Sequence, residues 1–132
     1  MGLIGASIAG ALGFCYFVQE QKLAETSLFH SLFITFNERY DRFNGPLAAI
    51  AEGTSTLQEH EKRSLIVDYF NLCAEEYLFF KEGYIHRDVW RSWCRGMAWY
   101  LKRHPFRDIW NEEVQSESFY GLSLETILAG AV

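Results

Sequence analysis

The sequence predicts an all-α protein in which an N-terminal transmembrane helix continues into a small helical bundle of about four helices. Three observations lead to this prediction. The first is a run of 16 residues without a charge, Leu3 to Val18, and the second is the recurrence of apolar residues at three- and four-residue steps after it. The third is the scarcity of helix breakers, with 2 Pro and 10 Gly in 132 residues. We therefore expect a transmembrane helix over 1–19 and a helical domain over 20–132.

The apolar run decides the expected location. An 18-residue helix counted from Met1 is about 27 Å long, slightly less than the hydrocarbon core of about 30 Å. A buried or interfacial helix is the main alternative, whereas a cleaved signal would need a positively charged region before the apolar run. Lys22 follows the run and nothing positive precedes it. Since Lys and Arg that flank a membrane span usually lie on its cytoplasmic side, we expect a single-pass inner-membrane protein with its C-terminal domain in the cytoplasm.

Small residues recur along one side of this predicted span, at Gly2, Ala6, Gly10 and Gly13. Rows of this kind let two helix backbones approach closely in lipid. Gly and Ala are also common in membrane helices that have no partner. We predict that this face mediates self-association or contact with a membrane-protein partner.

The helices after the span follow from periodicity and from breakers. Apolar residues continue from Phe29 to Phe43 without Pro or Gly, so one rod over residues 3–44 is expected to end at Gly45-Pro46, with a connector over 47–53. A second helix over 57–82 is expected to begin at a capping box of Thr56 and Glu59 and to end at Gly83. Further helices are predicted over 88–103, from residue 106, and in the tail after 116.

Two segments carry a resemblance to a known family. They are FNERYDRF (36–43) and YFNLCAEEYLFFKEGYIHRDVWRSWCRGM (69–97), followed by a Pro and a Trp near the end. The pattern resembles a family of small, uncharacterised bacterial and phage proteins with an N-terminal apolar helix. The resemblance covers about residues 30–115, and it implies a topology and no activity. The matching positions are Asn71, Glu75, Glu76, Tyr77, Lys81, Gly83, Ile85, Trp90, Pro105 and Trp110.

The residues that invite a chemical role lie mainly in the second predicted helix. Glu75 and Glu76 are adjacent, so their side chains point about 100° apart and do not converge on one substrate. We expect one of them to face the core and to pair with Arg39 or Arg42 of the first helix. Asn71 is predicted to be a buried amide that needs hydrogen-bond partners. Arg39, Asn71, Glu75 and Glu76 are therefore predicted to form a structural polar cluster.

Aromatic residues in the third predicted helix form the second candidate surface. Trp90 and Trp93 are predicted to belong to the core and its rim, with a partner-binding patch as the alternative. The basic row of Arg87, Arg91 and Arg95 is interpreted as a solvated helix face. A net charge of −5 also argues against a nucleic-acid-binding module.

The remaining ionisable residues show none of the spacings that catalysis or metal binding requires. The four His are scattered, no GxSxG or phosphate loop occurs, and the three Cys form no CxxC pair. We predict no enzyme activity, no metal and no cofactor. The Cys are expected to be reduced, small core residues.

The sequence thus predicts a membrane-anchored helical interaction or accessory protein. Its partners are expected to be the membrane, copies of itself or a membrane protein, and not a nucleic acid. The alternative is a membrane-associated effector or ligand sensor in bacterial stress or phage defence, motivated by the resemblance and by Asn71, Glu75 and Glu76. A hydrolase that uses Glu75 or Glu76 is a third hypothesis.

Overall fold

The computed structural model describes the backbone of residues 2–132 and the side chains of residues 9–132. Within this part of the chain the secondary structure is helical and contains no strand, which confirms the all-α prediction. The elements are α1 (Gly2–Glu52), α2 (Glu59–Lys81), α3 (Arg87–Leu101), α4 (Phe106–Glu113), a 3-10 turn (Val114–Ser116) and α5 (Leu124–Gly130).

Helix α1 is a single rod of 51 residues, about 77 Å long at 1.5 Å per residue. The prediction of a continuous rod is confirmed, but its predicted end at Gly45-Pro46 is wrong, because Pro46 lies inside the helix. Proline removes one backbone hydrogen bond, to the carbonyl of Arg42, and both residues are exposed, so water can satisfy that carbonyl. Gly45 has no Cβ to collide with the proline ring.

The burial that follows Pro46 explains why the helix continues. Leu47 is fully buried and Ile50 nearly so, and both belong to the main core. The helix ends instead at Gly53, whose φ of +76° is the left-handed conformation that glycine adopts most easily. The Thr54 N–H then donates to the Ala49 carbonyl, which closes a Schellman motif.

The start and stop signals of the later helices were partly predicted. Gly83 ends α2 as expected, with φ +86° and a Tyr84 N–H that donates to the Phe79 carbonyl. The predicted capping box at Thr56 and Glu59 is wrong, because Gln58 is the N-cap of α2 and its side chain makes no capping bond. His86 caps α3 by accepting a hydrogen bond from the Asp88 N–H.

The core contains a connected set of aromatic rings from α1, α2, α3 and α4 and from the segment before α5. Tyr69 is 2% exposed and contacts Tyr40 of α1 and Tyr100 of α3, with ring centroids 6.2 and 5.4 Å apart. Trp110 of α4 stacks on Phe119 at 5.1 Å. Rings of this size bury large apolar areas and prefer such edge and stacked contacts. The aromatic spacing that suggested helices therefore also marks the core.

Helix α5 packs on α3 through an unusually close backbone approach. A Cβ placed on Gly130 would lie 2.5 Å from Cys94 Sγ, so only glycine fits there without displacement. Arg91 donates to the Val132 carbonyl at 2.7 Å, and Arg95 donates to the Ala131 carbonyl. Two members of the basic row of α3 are thus bonded to the C-terminal end of α5, where positive charge is favourable.

The predicted transmembrane helix over 1–19 is not supported. In the part of the chain that the structure describes, none of the helices contains a stretch that is both long and apolar enough to cross a bilayer. From Ala9 the apolar stretch ends at Val18 and is followed by Gln19 and Glu20, which leaves about 15 Å of helix. The first eight residues of the predicted span lie outside the described side chains.

Candidate functional site

The N-terminal part of α1 projects from the bundle. We call residues 9–28 the arm. Each of them is exposed except Val18, which is partly buried, and the first fully buried residue of α1 is Phe36. The helix first meets the rest of the chain near Glu25 and Phe29, which face the turn between α2 and α3. The arm is therefore exposed along most of its length, and its last turn is where it approaches the bundle.

The exposed side chains at the far end of the arm are large and apolar. Leu12 is 66% exposed, Phe14 68%, Tyr16 64% and Phe17 56%. At 100° per residue, Leu12 and Tyr16 lie on one side of the helix, and Phe14 and Phe17 lie near the opposite side. The apolar surface thus surrounds the helix and does not form a single stripe.

The predicted small-residue row lies on this same segment. Gly10 and Gly13 are exposed, and a Cβ on either would meet no atom within 4 Å. Gly2 and Ala6 lie outside the residues whose side chains are described. The described half of the row therefore faces open space along the arm.

The two tryptophans of the predicted aromatic surface have different environments. Trp90 is 4% exposed and stacks on Phe80 with a ring-centroid distance of 4.9 Å, so it belongs to the core and its ring is not free to bind a partner. Trp93 is partly buried, contacts Phe36 at 5.7 Å and lines a cavity.

That cavity lies between α1, α2 and α3 and has a volume of about 520 Å³. Its lining includes four aromatic residues, and Glu76 lies among them. The size is typical of small-molecule sites in proteins, which range from about 300 to 1,000 Å³. We call it the Glu76 cavity; its lining residues include Phe33, Asn37, Tyr40, Tyr69, Glu76, Asp88, Ser92, Trp93 and Met97.

Glu76 is the one charged residue buried in the described core, at 5% exposure. Its carboxyl makes no hydrogen bond or ion pair with any of the side chains described. Burial raises the pKa of Glu76 to about 8, partly opposed by the nearby Arg39 charge and reinforced by Glu75. The carboxyl is therefore held protonated over much of the physiological pH range.

Glu75 is in a different situation from its neighbour. Its Oε2 lies 2.5 Å from Arg39 Nη2, and both side chains are 38% exposed. This oxygen has no well-aligned hydrogen bond, so we describe the contact as an ion pair between α1 and α2. Because Arg39 is engaged by Glu75, it leaves the Glu76 carboxyl without a direct partner.

Asn71 lies apart from the Glu76 cavity. The prediction of a buried amide is wrong, because Asn71 is exposed and lines a separate shallow depression with Arg39, Arg42 and Asp68. The apolar face of α2 runs through Tyr69, Cys73 and Glu76 and leaves position 71 on the solvent side.

The Glu76 cavity itself was missed by the sequence analysis, although one signal was present. Tyr69, Cys73 and Glu76 follow the three- and four-residue spacing of a buried helix face, so a carboxylate stood at a core position.

Burial also raises the pKa values of the Tyr69 hydroxyl and the Cys73 thiol well above their usual ranges, so both stay neutral. Among the described residues there is no group of three or more His, Cys, Asp or Glu placed to hold a metal ion.

Comparison with known proteins adds no relative to this description. No family model, curated protein or solved structure matches the chain.

Proposed function

We propose that the protein is a membrane-associated interaction protein that attaches through the arm and displays its helical bundle beside the lipid surface. The observation that carries this proposal is the exposure of large apolar side chains all around the helix at the far end of the arm, between Leu12 and Phe17. Contiguous apolar surface of this kind on a folded protein usually marks an interaction site.

The distribution of these side chains favours lipid over a single protein helix. A helix that packs on one partner needs an apolar stripe on one side, whereas a helix that is apolar all round is typical of lipid or of a fully buried position. The sequence continues this character upstream, from Leu3 to Ile8, without a charge. The first ionised side chains follow at Glu20 and Lys22, where the arm would leave the apolar region.

The proposal assigns no catalytic role to the bundle. Glu75 is engaged by Arg39, so the two adjacent carboxyl groups do not form a free acid–base pair. In the basic row of α3, Arg91 and Arg95 are bonded to the end of α5. Positive charge in the arm, at Lys22, would place the bundle on the cytoplasmic side.

Flotation with vesicles tests the proposal. The full chain is mixed with vesicles of a zwitterionic phospholipid and centrifuged through a density gradient. The wild type is expected to float, and Phe14→Glu/Phe17→Glu is expected to remain at the bottom, because charge at an apolar lipid contact costs several kcal/mol. A matched control, Gln19→Glu/Gln21→Glu, adds the same charge at neighbouring polar positions and is expected to float.

Two results would contradict the proposal. A wild-type chain that stays at the bottom as a stable oligomer would assign the arm to self-association. Equal flotation of both double variants would show that the apolar arm is not the membrane contact. Circular dichroism of each variant establishes that its helical bundle is intact.

A further inference from the structure

The Glu76 cavity contains a carboxyl group whose position has a cost for stability. Ionised carboxylates are rarely buried without a partner, because removing the charge from water is unfavourable by several kcal/mol. Glu76 is 5% exposed and forms no ion pair with the side chains described, while Gln or Leu of similar size would avoid this cost. Groups of this kind, placed in a cleft, are concentrated at functional sites.

The surroundings of Glu76 indicate the charge of a ligand. The cavity is lined by two acidic residues, Glu76 and Asp88, and by no Lys, Arg or His. The nearest opposite charge, Arg39, is already paired with Glu75 at 2.5 Å. An anion would meet two carboxyl groups there, whereas a cation would supply the partner that Glu76 lacks.

The residues that line the cavity indicate the apolar part of that ligand. Rings of Phe33, Tyr40, Tyr69 and Trp93 line the cavity, together with Met97. Aromatic faces attract organic cations, and they also cover the apolar part of a ligand. A metal ion is a poor fit, since the cavity has two carboxyl groups and the described residues include no group of three or more His, Cys, Asp or Glu placed to hold one.

We propose that this cavity binds a small organic ammonium ion, whose charged nitrogen pairs with the Glu76 carboxylate while its apolar body lies against the aromatic walls. This inference goes beyond membrane attachment, because the cavity lies in the bundle and the arm does not line it. Binding at this site would also join α1 to α2 and α3, since all three contribute walls.

Binding of the cation is coupled to loss of a proton. In the empty cavity Glu76 is mainly protonated at pH 7, and the ammonium ion favours the ionised carboxylate, so about one proton is released per ligand bound. Affinity therefore rises with pH up to about 8, the pKa of Glu76. The other titratable and charged groups near Glu76 are Arg39 and Tyr40 of α1, Tyr69, Cys73 and Glu75 of α2, and Asp88 and Cys94 of α3.

The test uses two probes of nearly the same shape, phenethylammonium chloride and the uncharged 2-phenylethanol, titrated into the full chain by isothermal calorimetry. We expect the ammonium ion to bind at least about tenfold more tightly than the alcohol, a difference of about 1.4 kcal/mol. Titration in two buffers that differ in ionisation enthalpy is expected to show the released proton at pH 7.

Glu76→Gln keeps the size of the side chain and removes its charge. We expect this variant to bind the ammonium ion about tenfold or more weakly, with no proton release, and to bind the alcohol as before. Glu61→Gln is the matched control, because it makes the same change at an exposed position of the same helix. It is expected to behave as the wild type does.

Three results would overturn the proposal. They are equal affinities for the ammonium ion and the alcohol, unchanged ammonium binding by Glu76→Gln, and no detectable binding of the ammonium ion at concentrations up to about 10 mM. Tighter binding of the alcohol would instead indicate that the protonated carboxyl donates a hydrogen bond to a neutral ligand.

Discussion

The two halves of α1 belong to one helix and have opposite environments. In residues 9–18 of the arm, apolar side chains surround the helix and are exposed, whereas in the second half of α1 Phe36, Leu47 and Ile50 lie on one face and are buried. Both halves are rich in apolar residues, so hydrophobicity alone does not distinguish them. The difference is in the periodicity of the apolar residues. An apolar stripe packs on one neighbouring helix, whereas a surface that is apolar all round is stable only in apolar surroundings such as lipid or among several protein partners.

The comparison predicts that stability depends on the bundle and very little on the arm. Trp110 is 2% exposed and contacts Phe70 and Phe119 with ring centroids 5.0 and 5.1 Å away. Trp110→Ala is expected to lower the free energy of unfolding by about 3–5 kcal/mol, from lost burial and the cavity that remains. Urea denaturation followed by circular dichroism measures the change.

Phe14→Ala provides the control in the arm, since it truncates an aromatic ring that is 68% exposed. We expect a change within about 0.5 kcal/mol in lipid-free buffer. A loss comparable to that of Trp110→Ala would show that the arm is packed against something in solution, and the contrast between the two halves of α1 would fail.

A second prediction concerns the pH dependence of the bundle. The folded-state pKa of Glu76, about 8, lies above its unfolded value, so the folded chain binds the extra proton. The contribution of this proton to the free energy of unfolding is fully present below pH 4.5 and is lost as the pH rises through about 8. The full loss is on the order of 5 kcal/mol, given about 1.4 kcal/mol per pKa unit.

Glu76→Gln isolates this contribution from the other groups that titrate in the same range. We expect the difference in unfolding free energy between this variant and the wild type to grow in favour of the variant from pH 5 to pH 9. A difference that stays constant with pH, measured by urea denaturation at each pH, would show that Glu76 does not titrate with a raised pKa. No such dependence is expected of Glu61→Gln.

The smallest expected effect tests the contact between α3 and α5. Gly130→Ala places a methyl group 2.5 Å from Cys94 Sγ, which is buried and cannot easily move away. Overpacking of this kind is expected to cost about 1–3 kcal/mol. Thermal unfolding of the variant against the wild type measures it.

Gly96→Ala is the matched substitution on α3, where an added Cβ meets nothing within 4 Å. Because alanine favours a helix over glycine by up to about 1 kcal/mol, this variant is expected to be as stable as the wild type or more so. If both alanine variants behaved alike, the tight approach of α5 to α3 would be absent in solution.

The candidate sites show where sequence reasoning ends. The apolar character of the segment before Glu20 was readable from the sequence as an uncharged run, although the transmembrane span predicted from that run is not supported. The Glu76 cavity was not readable, because a cavity depends on how three helices are spaced and on which carboxylate Arg39 reaches. Asn71 illustrates the same limit. Its apolar neighbours suggested burial, but successive residues of a helix point about 100° apart, so the orientation of α2 about its axis decides which side chains face the core.

The sequence alone determined the helical class, the continuous first helix and the stop at Gly83, since these depend on local spacing and on the backbone freedom of glycine. Tertiary structure alone decided that α1 passes through Pro46, because burial of Leu47 and Ile50 outweighs one lost hydrogen bond on the solvent side. It also decided that Arg91 and Arg95 bind the end of α5 and that Glu76 is enclosed. Such contacts join residues far apart in the chain, and the spacing of neighbours along one helix carries no information about them.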